Sequence, residues 1–194
     1  MTLYIFDMGE VVACNTDVFP LVYNHLKITA EQFYVFAGSS LERLMNGEIT
    51  VDDFWMRFSS RCGKKVKEEL FAKYFNPRLD QNVVAILKQL KNTARVVCGT
   101  NTFDPHYDYL SPRGYYALFD AVYASNKMGV SKPHPDFYKR ILIAEGVKPE
   151  GAVFIDDAEV NVLSAQKLGI RSILFKDSTS LRSEIDRHSL SRSS

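Results

Sequence analysis

Four short runs of the chain are apolar almost throughout and rich in β-branched residues: LYIF (3–6), RVVC (95–98), AVFI (152–155) and RSILF (171–175). A weaker fifth is AVYA (121–124). A strand with one wet face alternates apolar and polar side chains; these do not, so each is expected to be covered on both faces. Segments with apolar positions at helical spacing lie between them, at 82–90, 135–145 and 159–168. The pattern predicts an α/β fold, a parallel sheet with helices on both faces.

The spacing is uneven. About 80 residues separate the first run from the second, far more than the dozen or so that one crossover connection needs. They include amphipathic stretches at 30–36, 41–45, 51–60 and 67–75, the third opened by Thr50 with Asp53 three residues on as a cap pair. A helical insertion directly after the first strand is therefore expected. The division that follows is a core of 1–13 and 80–188, a helical insert of 14–79, and a polar tail of 189–194.

Composition narrows the function. With 46% hydrophobic and 24% charged residues the 194-residue chain has ordinary globular proportions. Its 24 Lys and Arg against 23 Asp and Glu leave a formal charge of +1, so no field draws in nucleic acid. No apolar run approaches the ~20 residues that span a bilayer, so no membrane partner is expected. Cys14, Cys62 and Cys98 are far apart, and His25, His106, His134 and His188 are scattered, which argues against a disulfide framework or a zinc site. The first residues lack the basic and small-residue features of a signal peptide, and a cytoplasmic setting is expected.

In an open parallel sheet, ligands bind beyond the carboxyl ends of the strands. Asp7 follows the first run, Gly99-Thr100-Asn101 the second and Asp156-Asp157 the AVFI run, while Gly129-Val130-Ser131-Lys132-Pro133 comes after AVYA. Three acids, a hydroxyl with an adjacent amide residue, and a lysine would meet at one edge. That set suits phosphate chemistry at Mg²⁺: carboxylates for a hard cation, a hydroxyl and N–H groups for phosphoryl oxygens, an ammonium for developing charge. Receiver domains use the same residue types, but there the acidic pair follows the first strand; here the single Asp comes first.

The order resembles the haloacid dehalogenase (HAD) superfamily, through Asp7 in YIFDMGEVV, Thr100 in VVCGTN, Lys132 in GVSKPHP and Asp156-Asp157 in VFIDDAEVN. The resemblance implies a Rossmann-like core with the insert as a C1-type cap. It also implies Mg²⁺-dependent hydrolysis of a small phosphomonoester, such as a sugar phosphate, through an aspartyl-phosphate. Asp7 would be the nucleophile. Asp7, the main-chain carbonyl of Gly9, Asp157 and Asp156 would surround the metal. Thr100 and the N–H of Asn101 would bind phosphoryl oxygens, Lys132 would neutralise charge and orient Asp7, and Asn161 would steady the acid pair.

The first motif departs from the superfamily's usual D-x-D, whose second Asp handles the proton of the leaving oxygen. Here it reads Asp7-Met8-Gly9-Glu10, near the D-x-G-N-V subgroup but with Glu10 in the Asn place. A general acid–base group contributes ~10²–10⁴ in rate. Three accounts stay open: an acid from Glu10, Asp104 or the insert; a substrate with a good leaving group; or a relative that binds phosphorylated ligands with weak or no hydrolysis. Dehalogenation, in which the same Asp attacks carbon without a metal, is a further chemistry; the Asp156-Asp157 pair argues for the metal route, since two carboxylates beside a third repel it without a cation.

In the insert, Phe33, Tyr34, Phe36, Phe54, Trp55 and Phe58 are expected mainly to pack together with one or two facing the ligand, and Arg43, Arg57 and Arg61 to be solvated. The tyrosine-rich 103–116 (FDPHYDYLSPRGYY) is read as a loop overhanging the site, with His106 as a candidate acid or substrate contact.

Overall fold

The structure is a computed structural model that describes residues 1–190, with side chains through Arg187. In chain order, β1 (Leu3–Phe6) leads to β2 (Ala13–Cys14) and then to five helices: α1 (Phe19–Leu26), α2 (Ala30–Ala37), α3 (Ser40–Met45), α4 (Val51–Cys62) and α5 (Leu70–Tyr74). β3 (Arg78–Leu79) returns the chain by pairing antiparallel with β2. There follow α6 (Gln81–Leu90), β4 (Arg95–Thr100), α7 (Asp104–Leu110), two 3₁₀ turns, β5 (Ala121–Ala124), α8 (Ser125–Met128) and α9 (Pro135–Glu145). β6 (Ala152–Asp156), α10 (Glu159–Lys167), β7 (Arg171–Leu174) and α11 (Ser178–Leu190) complete the chain.

The five apolar runs form one parallel sheet in the order β5-β4-β1-β6-β7. Their lack of alternation is explained by two packed faces. Tyr4, Phe6, Val96, Val153 and Ile155 point to the side of α6 and α11, joining Val83, Ile86, Leu181 and Ile185. Leu3, Ile5, Val97 and Phe154 point the other way, onto Phe137, Tyr138, Ile141 and Ala165 of α9 and α10. Helix and sheet approach so closely there that a Cβ on Gly99 would lie 2.8 Å from Ile5 Cγ2 and 3.2 Å from Ile141 Cδ1, which explains a glycine inside a central strand. Among the described residues no helix is long and apolar enough to cross a membrane.

The insert packs on its own aromatic centre. Phe33, Phe54 and Phe58 are buried there with Trp55, and Phe71 of α5 joins them. Thr50 and Asp53 form the expected capping box of α4, Asp53 N donating to Thr50 Oγ1 at 3.1 Å and Thr50 N to Asp53 Oδ2 at 3.2 Å. The helix expected over 67–75 is shorter: the Glu69 side chain accepts from the N–H groups of Phe71 and Ala72 and so starts α5 at Leu70. Arg61 donates to the carbonyls of Phe36 and Ala37, and Arg43 pairs with Glu48, so both serve the insert itself. α1 and the β2–β3 ribbon had not been foreseen. Of the tail expected at 189–194, residues 189–190 end α11 and the remainder lies outside the described residues.

Candidate functional site

Parallel pairing sets the site. Phe6 is level with Cys98 of β4 and with Ile155 of β6, so the residues that follow these strands emerge together. Asp7 N donates to Ile155 O at 2.9 Å, continuing the ladder one step past β1. Lys132 arrives from the loop between α8 and α9, where the Asn101 side chain clamps it by accepting from its N–H at 2.8 Å and donating to its carbonyl at 2.9 Å. The buried ammonium then lies 2.9 Å from Asp7 Oδ2 and 2.6 Å from Asp156 Oδ2. The other Asp156 oxygen accepts from Ala158 N and from Asn161 Nδ2, both at 2.9 Å. Asn161 is thus buried against the acid pair rather than lying on the outer face of α10. Thr100 is buried beside Asn101, its Oγ1 3.4 Å from the Asn101 carbonyl.

Asp7, Asp156 and Asp157 each present a carboxylate oxygen within 4.8 Å of the others. One ammonium serves this set. Burial pushes the Asp7 carboxyl up to about 7, with Lys132 opposing and Asp156 and Asp157 adding to the rise. Asp157, exposed at the rim, is also raised by loss of solvation and by Asp156. Burial alone would depress the Lys132 ammonium, but Asp7 and Asp156 outweigh it and hold it above the ordinary lysine value. A cluster of hard oxygen donors short of positive charge fits a divalent cation.

Gly9 stands beside a second small network. A Cβ there would lie 2.9 Å from Thr16 Oγ1, so the space a longer side chain would enter is held by Thr16. The Glu10 carboxylate accepts from Thr16 N at 2.8 Å, Thr16 Oγ1 at 2.9 Å and Asp17 N at 3.3 Å through one oxygen. These bonds hold Glu10 at φ 52°, a left-handed conformation that Asn tolerates better. Nothing in the sequence pointed to Thr16, because its contact with Gly9 spans seven residues of irregular chain. Gly9→Asp is expected to cost about 1–3 kcal/mol by overpacking this corner. Urea denaturation should show that loss, with part of it recovered on adding Thr16→Ala.

Two candidate acids are engaged by other groups. Asp104 bonds to Lys127 at 2.9 Å and Asn126 at 2.7 Å; the Lys127 hydrogen bond, against some burial, holds its carboxyl below the usual range. It is therefore no proton donor at neutral pH. The 103–116 segment is not a loop: it folds as α7 and two 3₁₀ turns. His106 is buried, stacked on Phe75 with centroids 3.7 Å apart, and Nε2 lies 3.3 Å from the Phe71 carbonyl. Burial pushes its pKa down to about 4, leaving a neutral ring.

A cavity of about 190 Å³ opens between the strand ends and the insert. Met8, Gly9, Thr100, Asn101 and Thr102 form its floor, and Val18, Phe19, Met45, Phe75, Phe103, His106, Leu110 and Tyr116 form its walls. The insert's contribution thus comes from its ends and from α3, while Phe33, Tyr34, Phe36, Phe54, Trp55 and Phe58 do not line the cavity. α3 is docked on the core by Ser125 Oγ, which donates to Met45 O at 2.7 Å.

Comparison with known proteins agrees with this architecture. The sequence profile of haloacid dehalogenase-like hydrolases matches residues 4–175. The chain belongs to that family. As a haloacid dehalogenase-like hydrolase it is 28% identical over 181 residues to the sesquiterpene phosphatase astK of Aspergillus oryzae, covering 90% of this chain and 89% of the relative. Several other curated relatives are longer proteins, of which the chain spans 33% or less. Its fold superposes on a protein of Porphyromonas gingivalis described as a predicted HAD-like family hydrolase, with a TM-score of 0.79, 23% identity, and 96% of this chain and 98% of the other covered. A HAD family enzyme of Bacteroides thetaiotaomicron, in complex with magnesium and inorganic phosphate, gives a TM-score of 0.70 at 23% identity over 91% of this chain and 94% of the other.

Proposed function

We propose that this hydrolase is a Mg²⁺-dependent phosphatase that cleaves a small phosphomonoester through an aspartyl-phosphate on Asp7. The observation that carries the reading is the trio of carboxylates, Asp7, Asp156 and Asp157, within 4.8 Å of one another around a single buried lysine at the sheet's carboxyl edge. The phosphatase name of the Aspergillus oryzae relative and the magnesium and phosphate bound by the Bacteroides thetaiotaomicron enzyme support the same class.

In this reading Asp7, Asp157 and the Gly9 carbonyl hold the cation, with Asp156 beside them. A divalent cation held there would supply the positive charge that an acidic site needs to accept a phosphate and to offset developing negative charge. Lys132, fixed by the Asn101 clamp, favours the ionised form of Asp7 against burial and aims it. The Thr100 hydroxyl and the Asn101 N–H hold two phosphoryl oxygens. Asp7 then attacks phosphorus, the ester oxygen leaves, and water releases phosphate from the aspartyl group. Asp156 acts as a positioning residue, since its oxygens are already bonded to Lys132, Ala158 and Asn161. The segment 14–79 serves as a cap that closes one side of the pocket. The three free cysteines accord with a reducing cytoplasm as the setting.

Phosphate release from 4-nitrophenyl phosphate is expected to need Mg²⁺ and to fall to background in excess EDTA. Full activity in EDTA would overturn the metal requirement, and no activity in either condition would favour a module that only binds phosphorylated ligands.

A further inference from the structure

We propose that the ester cleaved at Asp7 is an aryl phosphate, a single apolar ring carrying the phosphate, with the ring seated in the cavity between the sheet edge and the insert. This rests on the phosphatase reading and goes beyond it by naming the leaving half of the substrate. Two independent observations carry it.

The first is the cavity. Its volume is about 190 Å³, and no charged side chain lines it. An apolar cavity of about 150 Å³ accommodates a benzene molecule, so one ring fits. Rings of Phe19, Phe75, Phe103 and Tyr116 bound the space, which favours edge and face contacts with another ring. Of the polar groups that reach it, Thr16 Oγ1 is bonded to Glu10, the Asn101 amide to Lys132 at both ends and His106 Nε2 to Phe71 O, while the Tyr116 hydroxyl has no hydrogen-bond partner. A sugar would bury more hydroxyls against these walls than the Tyr116 hydroxyl can pair, each unpaired one costing about 1–3 kcal/mol.

The second is that, among the described residues, none of the candidate carboxyl or imidazole groups near Gly9 is free to protonate the ester oxygen. Gly9 has no side chain, one Glu10 oxygen accepts three hydrogen bonds, Asp104 is committed to Lys127 and Asn126, and His106 is stacked on Phe75 with Nε2 at the Phe71 carbonyl. A leaving group that departs as an anion suits such a site. A phenol has a pKa of about 10, as in tyrosine, whereas an aliphatic alcohol lies near water at about 15.7. In the first step an Asp7 oxygen forms the bond to phosphorus, the bond from phosphorus to the aryl oxygen breaks, and the aryloxide takes the electron pair and later a proton from solvent. In the second, water adds to phosphorus, the bond to Asp7 breaks, and the water's proton passes to solvent.

The test compares kcat/KM of the wild-type chain with Mg²⁺ on phenyl phosphate, benzyl phosphate, glucose 1-phosphate and glucose 6-phosphate. Benzyl phosphate keeps the ring but leaves as an alkoxide; glucose 1-phosphate is a better leaving group than glucose 6-phosphate but is polar. Phenyl phosphate is expected to exceed each of the others at least tenfold. A glucose phosphate that equals or exceeds phenyl phosphate overturns the apolar occupant, and benzyl phosphate equal to phenyl phosphate overturns the leaving-group argument; either result sinks this inference while leaving the phosphatase reading standing. No turnover of any ester, 4-nitrophenyl phosphate included, removes both. Leu110→Trp, which fills the cavity, should lower kcat/KM for phenyl phosphate at least tenfold more than for acetyl phosphate; equal losses count against the ring's placement.

Discussion

Asp7→Asn should abolish phosphate release, with kcat lowered by on the order of 10³-fold or more, because the amide neither forms the phospho-enzyme nor contributes a charged oxygen to the cation. The same substitution should raise stability when no divalent cation is present. Burial and the neighbouring acids lift the Asp7 carboxyl from 3.8 to about 7, so the folded state holds a proton there that the unfolded chain has already released. The sign follows from linkage: between the unfolded and folded pKa values the native state binds more protons, so this group's contribution falls as pH rises through that range. Above about 7 the wild type carries a buried charge that the variant lacks. Melting temperatures in EDTA should therefore favour Asp7→Asn more at pH 8 than at pH 5. A wild type that melts at least as high as the variant at pH 8 would mean that Lys132 alone already balances the carboxylates. Lost activity with gained stability is what a site built around crowded charge produces.

The features that the sequence revealed are those whose physics is local. Strands covered on both faces leave uninterrupted apolar runs, and Leu3–Phe6 and Ala121–Ala124 emerged with the expected bounds. Residues directly after strands could be assigned to one edge because parallel register does the rest. Contacts that join distant or irregular segments were hidden. Two-residue strands such as β2 and β3 are too short to show a period. α7 looked like a loop because Pro105 and a run of tyrosines mask a helix whose buried face is only His106 and Leu110. Thr16 in front of Gly9, and Asp104 captured by Lys127, are tertiary pairings with no signature along the chain. The cavity walls were missed for a similar reason: Phe19, Met45 and Phe75 come from separate elements of the insert.

Lys132→Met should be the most destabilising single change at the site. Lys132 is 3% exposed and its ammonium bridges Asp7 and Asp156, so an apolar side chain of similar length would fill the volume and leave two carboxylates facing each other in a buried corner. Removing one partner of a buried ion pair costs about 3–5 kcal/mol, far more than the pair's net contribution, because the remaining charge loses both solvent and partner. The Asn101 clamp acts through the main chain of residue 132 and should survive, which confines the effect to charge. The cost should depend on pH. Without the ammonium the Asp7 carboxyl is raised further, so protonation relieves the repulsion at low pH and the repulsion grows as pH rises. Urea denaturation without divalent cations should show the larger loss at pH 8. Added Mg²⁺ should recover part of it, since a cation held by Asp7 and Asp157 supplies the missing positive charge. A loss below about 1 kcal/mol at both pH values would place the buried triad among ion pairs that contribute nothing measurable, and the charge balance proposed for the site would fall with it.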